Sequence, residues 1–68
     1  MIKGKVLLYS TNRQYQAELL RNLLADNNIH CFIINKKDSA YLFGDIELYV
    51  NPEDFMRAKL LTDKFEEK

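Results

Sequence analysis

At 68 residues, 47% of them apolar and 29% charged, the chain has material for one domain with one small core, and this composition excludes disorder. Ten basic and ten acidic residues cancel, so no overall field draws the protein to nucleic acid or to an anionic membrane. A single cysteine excludes an internal disulfide, no apolar run approaches the roughly 20 residues that span a bilayer, and "MIKGKVLLYS" has no leader-like apolar stretch, so a cytoplasmic protein is expected.

In chain order, Val6, Leu7, Leu8 and Tyr9 in "KVLLYS" form a short β-prone run. Thr11 with Gln14 three residues on has the spacing of a capping box. Behind it Gln16, Leu19, Leu20, Leu23 and Leu24 recur at steps of three and four, so residues 12–26 read as an amphipathic helix. "DNN" ends it, since Asn27 or Asn28 takes a left-handed cap more cheaply than most residues. "IHCFII" is too short for a core helix and rich in β-branched and aromatic residues, and reads as a strand apolar on both faces. "DIELYV" alternates, with Ile46, Leu48 and Val50 one way and Asp45, Glu47 and Tyr49 the other. "NPED" then places Asn51 as N-cap and Pro52 at the first position of a second helix, which sets Phe55, Ala58, Leu61, Thr62 and Phe65 on one face.

The order strand, helix, strand, strand, helix, with too few residues for two cores, predicts an α+β fold: a ferredoxin-like split βαβ unit, βαββα, spanning residues 1–68 as one domain with a patterned region over 5–66. Its three-stranded sheet has the order 1-3-2 with both helices on one face. The expected core includes Leu19, Leu20, Leu23, Ile46, Leu48, Val50, Phe55, Leu61 and Phe65. The missing fourth strand leaves the outer edge of the first open to a partner strand.

Simple alternation puts Leu7, Tyr9, Phe32, Ile34 and Tyr49 on the sheet face away from the helices, more apolar side chains than a solvated face needs. The connection before the third strand adds Tyr41, Leu42 and Phe43, which complete the core, border a surface for a partner or small ligand made with Tyr9, Phe32, Ile34 and Tyr49, or form a disordered or strand-extending loop with Gly44 as the turn. Met56 and Leu60 lie away from the apolar stripe of their helix. Residues 1–37 carry a net charge of +4 and residues 38–68 a net charge of −4, which favours intramolecular docking or pairing between protomers over a polyanion partner. A homodimer or small homo-oligomer with a further protein partner is therefore expected.

Chemistry has few candidates. His30 and Cys31 are adjacent on a strand and point to opposite faces, which rules out a catalytic pair, and one thiolate beside one imidazole is too few ligands for a structural metal. Cys31 suits a buried apolar site. Glu53 and Asp54 are explained by a helix start, and Asp45 with Glu47 lacks a third converging ligand for a cation. Ser10, Thr11 and Arg13 stand where a strand enters a helix and are the positions for an anion, as in a small-molecule sensor. Tyr9, Phe32 and Tyr49 are those on which an RNA base would stack, against which stand the zero net charge and the acids beside Tyr49. With no converging catalytic set, no enzyme activity, no cofactor and no metal are expected, and binding is the expected mode of action.

"LYSTNRQYQAELLRNLLADNNIHCFIINKK", a hydrophobic loop, and "IELYVNPEDFMRAKLLTDKF" together resemble the bacterial family of "putative signal transducing proteins", small domains of unknown function. The matching residues are Tyr9, Ala17, Glu18, Leu19, Leu20, Leu23, Leu24, Ile29, Val50, Glu53, Asp54, Ala58 and Leu61, over roughly residues 6–66. The resemblance implies a ferredoxin-like fold and a part in signal transduction, and it carries no catalytic motif; the missing catalytic set and the surplus of apolar side chains make a regulatory or adaptor module the expected form. Asn28 departs from it, standing where many relatives have glycine.

Overall fold

The structure, a computed structural model, describes residues 3–36 and 45–66. The elements follow the expected order: β1 (Val6–Thr11), α1 (Gln14–Asp26), β2 (Cys31–Asn35), β3 (Ile46–Val50) and α2 (Phe55–Glu66), the last entered through a 3-10 turn over Pro52–Asp54. β3 is central and antiparallel to both neighbours in a sheet of order β1-β3-β2, so β1 and β2 run parallel. Both helices cover one face of this sheet, giving a slab of 35 × 30 × 16 Å whose thin dimension is one helix layer on one sheet.

The alternation of β3 sets the core. Ile46, Leu48 and Val50 are buried on the helix side, where they meet Leu20 and Leu24 of α1, Ala58 of α2, Leu8 and Ile29. Burial of a leucine-sized side chain contributes about 1.5–3 kcal/mol, so these few residues supply most of the driving force for so small a domain. Thr62 is buried among them without penalty, because its hydroxyl donates to the Ala58 carbonyl at 2.8 Å.

The first helix starts later than its spacing suggests, and Thr11 and Gln14 do not form the expected capping box. Thr11 closes β1, where its Oγ1 accepts from the Arg13 N–H at 3.1 Å and donates to Gln16 Oε1 at 3.1 Å. Gln14 instead donates to Glu18 Oε2 at 3.0 Å. A local turn thus takes the hydroxyl that a cap would have used. Asn51 stands at the expected N-cap but makes no side-chain cap bond; its carbonyl accepts from Asp54 N–H at 2.9 Å, which tightens the entry into a 3-10 turn.

At the other end of α1, Asn28 has φ 62°. The Asn28 N–H reaches the Ala25 carbonyl at 3.0 Å and the Ile29 N–H reaches Leu24 at 2.9 Å, the paired bonds of a Schellman cap. Leu24 and Ile29 are both buried, so the cap also delivers β2 to the core. Arg57 of α2 donates to the Asn27 carbonyl at 2.7 Å, bringing a cation to the negative end of α1 and tying the helices together there.

Two expected placements are corrected. Leu19 is 54% exposed rather than buried, because α1 lies on its Ala17, Leu20 and Leu24 face and turns Leu19 and Leu23 toward α2. Tyr9 faces the helices rather than the open sheet face. Leu7 pairs with Tyr49 and Tyr9 with Leu48, so Leu8 is the extra residue of a β-bulge and the alternation shifts by one place. Leu8 and Tyr9 consequently both lie on the helix side, where the Tyr9 ring meets Phe65 edge-on at 6.1 Å.

Candidate functional site

The open sheet face holds Leu7, Phe32, Ile34, Glu47 and Tyr49, as the pairing of Leu7 and Phe32 with Tyr49 and of Ile34 with Glu47 requires. It is less available than its composition suggests. Tyr49 is only 4% exposed, and its hydroxyl donates to Glu47 Oε1 at 2.8 Å. Lys36 Nζ stands 3.3 Å from the same carboxylate oxygen. The Tyr49 hydrogen bond, with Lys36 assisting, holds the Glu47 carboxyl below its ordinary range, and the same bond raises the tyrosine. Lys5 Nζ lies 4.9 Å over the Phe32 ring and the His30 ring is 4.4 Å from it. Phe32 and Ile34 are half-buried, and among the described residues Leu7 is the large apolar side chain that stays exposed on this face. Tyr41, Leu42 and Phe43 lie outside the described residues.

The other sequence candidates do not converge. Thr11 Oγ1 is engaged on both its donor and acceptor sides, and Ser10 lies across from Glu47 in the sheet, a poor neighbour for an anion. Arg13 is exposed at the helix start. Cys31 packs against the core on the helix side, where burial pushes its thiol up to about 11 against the opposing pull of Arg21, while the His30 ring lies tilted against Phe32 on the other side. Among the described residues no group of three His, Cys, Asp or Glu is arranged to hold a metal ion, and no helix is long and apolar enough to cross a membrane.

The apolar surface that remains is on the helices. Of five large exposed hydrophobic side chains among the described residues, Leu7, Tyr15, Leu19, Met56 and Leu60, four belong to α1 and α2. Between the helices runs a groove of about 420 Å³ lined by Leu19, Leu23, Leu61, Lys64 and Phe65. It arises because α1 buries its Ala17, Leu20 and Leu24 face and α2 its Ala58 and Thr62 face, while Leu23, Leu61 and Phe65 are only half-buried along the seam. One end continues past Tyr9, Tyr15 and Gln16 and the other past Asn27, Arg57 and Leu60, so the helices run antiparallel and the trough follows their length.

Leu19, Leu23, Leu61 and Phe65 appear in the sequence as core positions, and periodicity alone cannot separate core from groove. A usable sign is that Ala17, Leu20 and Leu24 recur at steps of three and four, a buried stripe complete without Leu19 and Leu23.

Comparison with curated proteins and with solved structures finds no match to this chain. A family model matches residues 5–66, which take in every element described above. The chain belongs to the family described as "putative prokaryotic signal transducing protein".

Proposed function

We propose that the domain acts by binding another protein, as a small cytoplasmic regulatory or adaptor module in signal transduction, with the groove between α1 and α2 as its contact surface. The observation that supports this most is the distribution of exposed apolar groups: Tyr15 and Leu19 of α1 and Leu60 of α2 border a trough floored by Leu23, Leu61 and Phe65. The family's description is in keeping with a protein-binding role. The open sheet face is the weaker surface, since Tyr9 leaves it, Tyr49 is buried and Phe32 has Lys5 over its ring. The same three facts weigh against base stacking by RNA. An anion sensor at Ser10, Thr11 and Arg13 is disfavoured by the engaged Thr11 hydroxyl, and an enzyme by the opposed faces of Cys31 and His30.

Because Leu19 is exposed, Leu19→Glu tests the surface without threatening the core. Capture of protein partners from bacterial lysate should fall with Leu19→Glu while its melting temperature stays within a few degrees of the parent. Capture equal to that of the parent would reject the groove.

Self-association is a second reading, favoured by Met56 and Leu60, 75% and 64% exposed on the outer side of α2. Sedimentation equilibrium at about 100 µM, a concentration that populates even weak dimers, should then give a mass above 8.1 kDa that falls with Leu60→Glu. A constant 8.1 kDa would exclude it.

A further inference from the structure

We infer that the occupant of the groove is an amphipathic helix whose polar edge carries a carboxylate set against Lys64. This rests on the protein-binding reading above and adds the partner's chemistry to it. The shape of the site comes first. The trough lies between two antiparallel helices and follows α1, which at 1.5 Å per residue over its 13 residues is about 20 Å long. Its lining is built from two pairs at i, i+4 spacing, Leu19 with Leu23 on α1 and Leu61 with Phe65 on α2. Such ridges accept a third helix, which interdigitates with them at an axial spacing of about 8–10 Å. An extended segment fits poorly. The walls are helix side chains, and helices keep their backbone donors and acceptors for themselves, so a strand laid in the trough would bury amide groups without partners. A helix arrives with its backbone already satisfied.

Charge then sets the polar edge. Lys64 lines both the main groove and its continuation at the Asn27 end. Its basic neighbours on α2 are committed: Lys59 Nζ is 3.5 Å from Asp63, and Arg57 is held by the Asn27 carbonyl at 2.7 Å and by Asp54 at 3.8 Å. Lys64 forms no ion pair among the described residues. Glu66 stands at the far end, beside Phe65 and Tyr15. A carboxylate at the Lys64 edge of a docked helix therefore meets a cation with no ion pair among the described residues, beside an apolar floor, and a basic residue there would meet a like charge.

The test uses labelled helical peptides of about 14 residues, roughly the length of α1. Each has leucines at i, i+3, i+4 and i+7; one is flanked by Glu, its twin by Lys, and a third is the Glu peptide with a central proline that breaks the helix. Fluorescence anisotropy with the wild-type domain at low salt should show the Glu peptide binding about three- to five-fold more tightly than the Lys twin, the ratio one exposed ion pair yields. Lys64→Glu should reverse that order, Leu19→Glu should abolish binding of both, and the proline peptide should not bind. Thermal melts of both variants, each at an exposed position, check that the fold is intact. Equal binding of the twins, an order unchanged by Lys64→Glu, no binding of any peptide, or full binding of the proline peptide overturns the inference. If capture from lysate still depends on Leu19 while the peptides show no charge order, the carboxylate-bearing helix is rejected and the protein-binding reading stands. If Leu19→Glu alters neither capture nor peptide binding, both are rejected.

Discussion

The Tyr9 ring meets the Phe65 ring edge-on, at 6.1 Å between centroids and 88° between planes. This contact joins the first strand to the last helix, and it exists because the bulge at Leu8 turns Tyr9 to the helix side. Without the bulge, alternation would send Tyr9 to the open face and leave the end of α2 over a bare stretch of β1. The bulge has a second effect. By twisting β1 it makes the outer edge of the sheet a poor template for a partner strand, which weakens the expectation that this edge is a docking site.

The aromatic contact should be measurable as coupling. Tyr9→Leu and Phe65→Leu, alone and together, form a double-mutant cycle, and urea denaturation should give an interaction energy of about 0.5–1.5 kcal/mol. Additivity within error would show that the rings only fill space.

The rotation of α1 separates two leucines that look alike in sequence. Leu20→Ala should cost about 2–5 kcal/mol, and Leu19→Ala should change stability by less than about 0.5 kcal/mol. Equal costs in chemical denaturation would contradict the helix orientation from which the groove follows.

Asn28 has φ 62° and closes α1 through paired bonds to Ala25 and Leu24. Glycine adopts this conformation freely and alanine pays about 1–2 kcal/mol for it. Asn28→Gly should leave the denaturation midpoint unchanged or slightly raised, whereas Asn28→Ala should lower stability by about 1 kcal/mol. A more stable alanine variant would rule out the left-handed cap.

The pH dependence has two limbs with opposite causes. Glu47 has its carboxyl lowered, chiefly by the Tyr49 hydrogen bond. The unfolded chain therefore takes up the proton first, and stability should fall as the pH drops below the ordinary carboxylate range through the folded value. Tyr49 is raised, chiefly by its bond to Glu47, and Cys31 is raised from 9.0 to about 11 by burial. Each is protonated in the folded protein where the unfolded chain has begun to ionise, so stability should decline as the pH rises from about 9 toward 11. Glu47→Gln should flatten the acid limb and Cys31→Ala the alkaline limb in melting curves taken across pH. Limbs that are unchanged in these variants would assign the dependence to other groups.

Much of the fold is legible in the sequence where one physical preference dominates. β3 reads directly because Ile46, Leu48 and Val50 alternate with polar or amphipathic neighbours, and the second helix reads because Pro52 with Glu53 and Asp54 suits little besides a helix start. β1 is opaque in detail, since every residue of "VLLY" suits either face and a bulge leaves no mark in such a run. Thr11 is misread because one hydroxyl can serve a cap or a turn, and tertiary context decides between them. The groove is hidden for a related reason. Leu19 and Leu23 have the spacing of core residues, and only the seating of α1 on its Ala17, Leu20 and Leu24 face reveals that they belong to a seam between helices.

The measurement that tests the docking surface most directly is amide chemical-shift mapping of the labelled domain with a partner isolated by capture. The account predicts the largest changes at Tyr15, Leu19, Leu23, Leu61, Lys64 and Phe65, with small changes at Leu7, Phe32 and Ile34. Changes concentrated on Leu7, Phe32 and Ile34, with α1 and α2 unaffected, would contradict it and return the binding surface to the open face of the sheet.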